Sequence, residues 1–353
     1  MTKRLELDGN KMIHHLDRVQ DWKAGKVINP IYIAFSPTSL CNHKCTFCVY
    51  HYKEFKPIFF PTARYEELVQ EWSALQVKSL FFAGDGEPLL HKDAIQMVQK
   101  TRSAGIDIAM NTNGRLLTKE KAEVLAKDLD WIRVSVNGGS AKNYGKIHQT
   151  SEKDFEIVLA NLQELVRQKK NQNAKIVIGA QCVLLNENQQ EIETLAKLLK
   201  EIGVDYFAVK PFLKHPLTEW ETELENRQEI IQRLLKLESL NTDSFKFVLR
   251  ESHFQTIPKR AYSKCLSGDF MIEVDAKGDV YSCGPYIGDE SHRYGNILEQ
   301  SFEKMWNSEE CRSKMKKIQC HLDVSKCMPF CRPDSVNKFL WDLKNPPEHL
   351  NYI

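Results

Sequence analysis

Hydrophobic and polar positions in this chain follow two alternating periods, about two residues and about 3.6. From Ile31 the run IYIAFSPT is apolar and ends in turn chemistry, so it reads as a buried strand. After Thr62 the segment ARYEELVQEWSALQV places Leu68, Trp72 and Leu75 at helical spacing. KSLFFAG is a second strand ending at Gly84, and a helix over residues 93–104 stops at Gly105. IDIAMNTNG is the third strand, broken by Asn113-Gly114. A helix over 118–127 leads to the fourth strand, WIRVSVNGG, and a helix over 151–170 follows. AKIVIGAQCVLL, a helix over 188–202 closed by Gly203, VDYFAVKPF and a helix over 219–237 complete the series.

Six βα units in succession predict a parallel sheet with right-handed crossovers. The expected fold class is α/β, a partial (β/α)6 TIM-like barrel over residues 31–240. Ligands of such sheets sit at the carboxyl ends of the strands. The sharp polar motifs fall at those ends: a cysteine loop after the first strand, Gly84 to Pro88, Asn111 to Gly114, and Ser135 to Gly139. After residue 240 the pattern changes. GDFMIEVDAKGDVYSCG reads as a hairpin with its turn at Asp275-Ala276-Lys277-Gly278. A helix over 301–317 carries Phe302, Met305 and Trp306 on one face. Residues 241–353 are thus expected to form a small α+β domain, and residues 1–30 an N-terminal extension.

Charge narrows the partners. Lys and Arg total 49 against 47 Asp and Glu, a net charge of +2, which removes the main argument for a nucleic-acid binder. No apolar run approaches the roughly 18 residues of a membrane span, and the polar start, Met1 to Asn10, has no signal core. No membrane association and a cytoplasmic location are the expectations.

Ten cysteines change the picture. In a reducing compartment they are buried side chains, metal ligands or redox groups rather than disulfides. Cys41, Cys45 and Cys48 sit together, Cys182 is alone in the middle, and six follow from Cys265 onward, which suggests two separate metal sites. The CxxxCxxC spacing can place three thiolates on one face of a cubane iron–sulfur cluster, leaving one iron without a protein ligand. A vacant metal position is the mark of a catalytic site. A structural zinc site completed by His43 or His51 is the alternative, but it usually shows four ligands in paired spacing.

The loop, with the aromatic Phe47 before its third cysteine, resembles the signature of radical S-adenosylmethionine (SAM) enzymes. AGDGEPLLH resembles that family's glycine–glutamate–proline motif, and Asn113-Gly114 and Ser135 fit the following strands. The resemblance implies that SAM chelates the open iron of a 4Fe–4S cluster held by Cys41, Cys45 and Cys48. It places backbone around Gly84 and Gly86, with Glu87 nearby, at the cofactor's amino group. Asn113 lies among the same motifs, and Ser135 goes near the ribose or carboxylate. Backbone near Phe47 and Val183-Leu184 goes at the adenine. A reducing partner such as flavodoxin or ferredoxin is implied as well.

Cys265, Gly278 and Cys283 span the hairpin, and Cys327 and Cys331 follow the stretch YGNILEQSFEKMWNSEECR. This is similar to the SPASM/twitch extension of the same enzymes. It implies one auxiliary 4Fe–4S cluster on Cys265, Cys283, Cys327 and Cys331, with Cys320 as the substitute for either of the last two.

The resemblance implies that a 5′-deoxyadenosyl radical abstracts hydrogen from an unreactive C–H bond. With an auxiliary cluster as electron acceptor, a carbinol carbon would become a ketone. The expected substrate is a small polyol, sugar or nucleotide-sugar. If a thiol quenches the substrate radical instead, the enzyme is an epimerase, and Cys182, Cys311 and Cys320 are the candidate donors. Lys210, Lys142 and Lys146 are candidates to face the pocket. Peptide modification is a further alternative; relatives of that kind usually carry an added leader-binding domain, whereas only about 30 residues precede the first strand here. A two-cluster electron-transfer protein is the non-enzyme alternative.

Overall fold

The computed structural model describes residues 9–50, 56–218, 221–254, 259–349 and 351. The six expected strands are present as β1 Tyr32–Phe35, β2 Ser79–Phe82, β3 Asp107–Thr112, β4 Trp131–Ser135, β5 Val177–Leu184 and β6 Tyr206–Pro211. They pair in parallel in chain order. Two-residue periodicity sorts their side chains. Ile33, Phe35, Leu80, Phe82, Ile108, Ile132, Ile178 and Phe207 enter the main core. The alternate positions Tyr32, Phe81, Asn111, Arg133, Gln181 and Lys210 line a cavity on the opposite face. One strand set therefore builds both the core and the site.

The sheet runs on at both edges. β7 Lys246–Leu249 adds in parallel to β6. On the other edge β8 Met271–Val274 pairs in parallel with β1, Tyr32 opposite Met271. β9 Asp279–Tyr281 and β10 Arg293–Asn296 follow antiparallel, giving the order β10-β9-β8-β1-β2-β3-β4-β5-β6-β7. The expected hairpin is there, with Gly278 at φ +79° in its turn. Its first strand belongs to the barrel sheet. The segment KFVL of β7 was too short to register as a strand in the pattern.

Helices Thr62–Ala74, Ala94–Ser103, Lys119–Asp128, Lys153–Asn171 and Ile192–Ile202 match their expected positions. The helix expected from residue 219 begins at Arg227, and residues 219 and 220 lie outside the described residues. Helix Ala141–His148 was not anticipated; Ser140 caps it by accepting the Asn143 N–H. The helix expected over 301–317 is two, Phe302–Asn307 and Glu309–His321. Ser308 divides them: its extended backbone ends the first, and its hydroxyl caps the second at the Cys311 N–H.

The N-terminal segment is not a free extension. Its helix Leu16–Lys23 shares a second core with helix Asp334–Lys344, through Val19, Trp22, Ile28, Phe270 and Leu340. The Trp22 indole donates to Asp269 at 3.1 Å. Among the described residues no helix is long and apolar enough to cross a membrane.

Candidate functional site

The cysteine loop leaves β1 and is strapped to the helix that the pattern had hidden. Lys44 and Thr46 donate their backbone N–H groups to the carbonyls of His148 and Ile147, at 3.0 and 2.9 Å. On the opposite side the Glu87 N–H donates to the Leu40 carbonyl at 2.8 Å. The buried Glu87 carboxylate accepts from Leu89 N–H, the Thr112 hydroxyl and Asn113 N–H at 3.1, 2.7 and 2.7 Å. Asn113 in turn donates to the Asn42 amide oxygen at 2.7 Å. Glu87 and Asn113 thus lock three loops together beside Cys41. Gly84, at φ +131°, has no room for a Cβ against the Ser36 hydroxyl, and Gly86 has none against the Thr38 and Leu40 carbonyls.

Three thiols converge in this loop. Burial, then Cys48 and Cys41, push the Cys45 thiol far up, and burial pushes Cys41 up to about 11. Free nucleophilic thiols show the reverse shift, whereas a bound metal supplies the positive charge that deprotonates such a set. The donor chemistry fits a thiolate-held cluster. The zinc alternative has a partial basis, since His43, Cys45 and His148 bring ligand atoms within 4.8 Å of one another. That set leaves Cys41 and Cys48 unused, and His148 Nε2 already accepts the Asn137 N–H at 3.2 Å. His51 lies outside the described residues.

The expected adenine neighbours come together in part. Phe47 packs with Ile147, Val183, Leu185 and Phe212 in a small apolar cluster. The Leu184 side chain turns into the main core, which leaves only its backbone on that side. Ser135 ends β4, half-buried, in register with Gln181.

At the other end, Cys265, Cys283, Cys327 and Cys331 line one small cavity. Burial, then the other three thiols with Glu273, push Cys283 well up. Protein donors aim at three of these sulfurs. Asn337 reaches Cys265 at 3.4 Å, Arg260 reaches Cys331 at 3.6 Å and the Tyr286 hydroxyl reaches Cys327 at 3.9 Å. Four convergent sulfurs with their own donors fit a closed cluster. Cys320 is exposed on helix Glu309–His321 and does not line this cavity, because its helical position turns it to solvent.

Between the two thiol sets lies a cavity of about 830 Å³. Val49, Tyr50 and Gly84 line it together with Cys283 and Cys331. Lys210 lines it as expected; burial, then Arg133 and Arg250, push its ammonium down to about 8. The remaining candidates lie elsewhere. Cys182 faces the helices from β5, where Asn188 donates to it at 3.4 Å. Cys311 is core, and Lys142 and Lys146 are exposed. Arg133, Arg250, Glu273 and Arg332 line the cavity and were missed. Arg133 lies two residues before Ser135 and Glu273 alternates with Ile272 and Val274, so strand periodicity was the signal that could have found them.

The chain was compared with known proteins. The radical SAM superfamily model matches residues 35–199, and the SPASM iron–sulfur cluster-binding domain matches residues 265–333. The GTP 3′,8-cyclase of Aquifex aeolicus is 24% identical over 308 residues, covering 81% of this chain and 93% of that protein. The AdoMet-dependent heme synthase of Methanosarcina barkeri is 25% identical over 315 residues, covering 81% and 85%. Among solved structures, SuiB of Streptococcus suis bound to S-adenosylmethionine superposes with a TM-score of 0.66 at 16% identity, covering 87% of this chain and 72% of SuiB. The chain carries a radical SAM domain and a C-terminal SPASM iron–sulfur domain, which imply SAM and 4Fe–4S clusters as cofactors.

Proposed function

We propose that this enzyme oxidises a carbinol C–H of a sugar, polyol or nucleotide-sugar to a ketone in the cavity between its two thiol sets. The supporting observation is that Cys283 and Cys331 line both the four-thiol cavity and the larger cavity, which Gly84 also lines. We assign Cys41, Cys45 and Cys48 to the SAM-binding cluster, and Cys265, Cys283, Cys327 and Cys331 to one auxiliary cluster. Residues 31–240 and 241–353 remain the two domains of this reading, with β8 as the strand that joins them. When bound, SAM on the first cluster supplies a hydrogen-abstracting radical, and the auxiliary cluster supplies a one-electron acceptor.

The chain's own residues do the rest. The three donors on the auxiliary sulfurs stabilise added negative charge there, which favours taking an electron. The hydroxyl proton needs an acceptor, and Glu273 lines the cavity from β8 beside Gly284. Because burial pushes its carboxyl up to about 8, it takes the proton through its ionised fraction, which grows as pH rises toward 8. The apolar cluster around Phe47 and the loops locked by Glu87 exclude water from the adenosyl side. The epimerase reading loses support because Cys182, Cys311 and Cys320 do not line the cavity. A small-molecule substrate is in keeping with the GTP named for one relative.

Anaerobic incubation of the reconstituted enzyme with SAM and dithionite tests this. Formation of 5′-deoxyadenosine is expected, and its absence returns the chain to the electron-transfer class. Cys182→Ala, Cys311→Ala and Cys320→Ala are each expected to retain ketone formation; loss of substrate turnover with SAM cleavage intact in one of them would favour the epimerase.

A further inference from the structure

We propose that the cavity contains a subsite for a phosphoryl or diphosphoryl group, built by Arg133, Lys210 and Arg250. The inference rests on the cavity being the substrate site and narrows its ligand to a phosphorylated sugar or a nucleotide-sugar.

Three strands deliver the cations. Arg133 stands on β4, Lys210 near the end of β6, and Arg250 just past β7, where its N–H donates to the Val209 carbonyl at 2.9 Å. All three line the same cavity. They act on one another: after burial, Arg133 and Arg250 are the groups that hold the Lys210 ammonium down, and Arg250 acts the same way on Arg133. Among the described residues no carboxylate is one of the groups acting on Arg133 or Lys210. Arg133 hydrogen-bonds only to the neutral Asn111 amide oxygen, at 3.1 Å, among the described residues.

Among the described residues, the acids that line the cavity do not balance Arg133 and Lys210. Asp334 is paired with Arg260 and Lys338, at 2.9 and 2.8 Å. Burial pushes Glu273 up to about 8, so it is mostly neutral at pH 7. A fourth cation of the lining, Arg332, stacks on the Tyr32 and Phe81 rings at 5.3 and 4.5 Å. Gathering like charges in a half-buried cavity is costly until a counter-ion arrives. A phosphoryl group brings up to two negative charges on three tetrahedral oxygens. The guanidinium forks of Arg133 and Arg250 can each bind two of them, with Lys210 as a point charge.

Isothermal titration of the SAM-loaded holoenzyme with inorganic pyrophosphate, under anaerobic conditions, tests the subsite. Pyrophosphate is expected to bind, and Arg133→Gln and Arg250→Gln are each expected to weaken it about tenfold or more. Lys317→Gln, an exposed position, is expected to leave it unchanged. Adenosine diphosphate binding more tightly than ribose 5-phosphate supports the subsite with a nucleotide source; the reverse supports it with a sugar phosphate. No pyrophosphate binding, equal binding in both Arg variants, or tighter binding of citrate overturns the proposal. Should the variants lose their clusters or their fold, the wild type still decides: pyrophosphate is expected to protect Arg133 and Arg250 from phenylglyoxal, and no protection overturns the subsite. Because binding is read without turnover, the two claims separate. Pyrophosphate binding without ketone formation from any sugar leaves the subsite standing and removes the oxidation. Ketone formed equally well from neutral polyols by wild type and Arg133→Gln does the opposite.

Discussion

His148 Nδ1 lies 3.3 Å from Cys45 Sγ, and its other ring nitrogen accepts the backbone N–H of Asn137 at 3.2 Å. A backbone N–H can only donate, so the Nε2 lone pair is occupied. Burial pushes the imidazole down to about 3, which keeps it neutral. Its one proton is therefore on Nδ1 and points at the sulfur. Such a donor stabilises the reduced form of a thiolate-bound cluster. His148→Phe is expected to move the midpoint potential of the N-terminal cluster to a more negative value, read by EPR during a redox titration. An unchanged potential with full iron content would show that His148 only fills space.

The division of the cysteines predicts iron content. The wild type is expected to hold about eight irons per chain as two 4Fe–4S clusters, and Cys283→Ala about four. Cys320→Ala is expected to keep the wild-type value, since that thiol is exposed and outside the four-sulfur cavity. Iron and sulfide analysis after anaerobic reconstitution decides this.

Gly84→Ala sets a Cβ against the Ser36 hydroxyl at a φ of +131°. The loop must shift or strain, at a cost of about 1–3 kcal/mol. The expected outcome is a lower unfolding midpoint together with loss of SAM binding, measured by thermal melts and by titration of SAM. Gly105→Ala is the comparison: it also has a positive φ, +76°, but nothing lies within 4 Å of its Cβ. It is expected to lose stability with SAM affinity retained.

Lys210 gives the phosphoryl subsite a pH dependence. Burial, Arg133 and Arg250 lower its ammonium to about 8, and His253, on the same wall, is held down to about 4 and stays neutral near pH 7. Lys210 is charged below about pH 8 and loses its charge above it. Pyrophosphate affinity is therefore expected to fall as pH rises through 8, where Glu273 in the same cavity also ionises. Lys210→Gln is expected to make that fall shallower, with the Lys210→Gln, Glu273→Gln double variant nearly flat. A flat profile in the wild type would remove Lys210 from the subsite.

Much of this was legible in the sequence because it is written in local spacing. The period of two residues and of 3.6 located β1 to β6 and most of the barrel helices. The CxxxCxxC run and the hairpin cysteines marked both thiol sites. What stayed hidden depends on long-range packing. Helix Ala141–His148 follows two glycines and carries its own, Gly145, so its pattern reads as loop. β8 looked like half of an isolated hairpin because nothing local shows that Met271 pairs with Tyr32. Arg133, Arg250 and Glu273 read as ordinary surface charges until strand pairing turns them inward. The thiols Cys182, Cys311 and Cys320 could be ranked only by the faces they occupy.

The most direct test of the account uses a panel of phosphorylated sugars deuterated at their carbinol carbons, incubated anaerobically with enzyme, SAM and reductant. Mass spectrometry of both products reads the outcome. The account predicts one deuterium in 5′-deoxyadenosine for each ketone formed, and loss of the ketone in Glu273→Gln with SAM cleavage retained. Deuterium in 5′-deoxyadenosine with an inverted carbinol carrying solvent hydrogen, or turnover of a precursor peptide and no sugar, would contradict it.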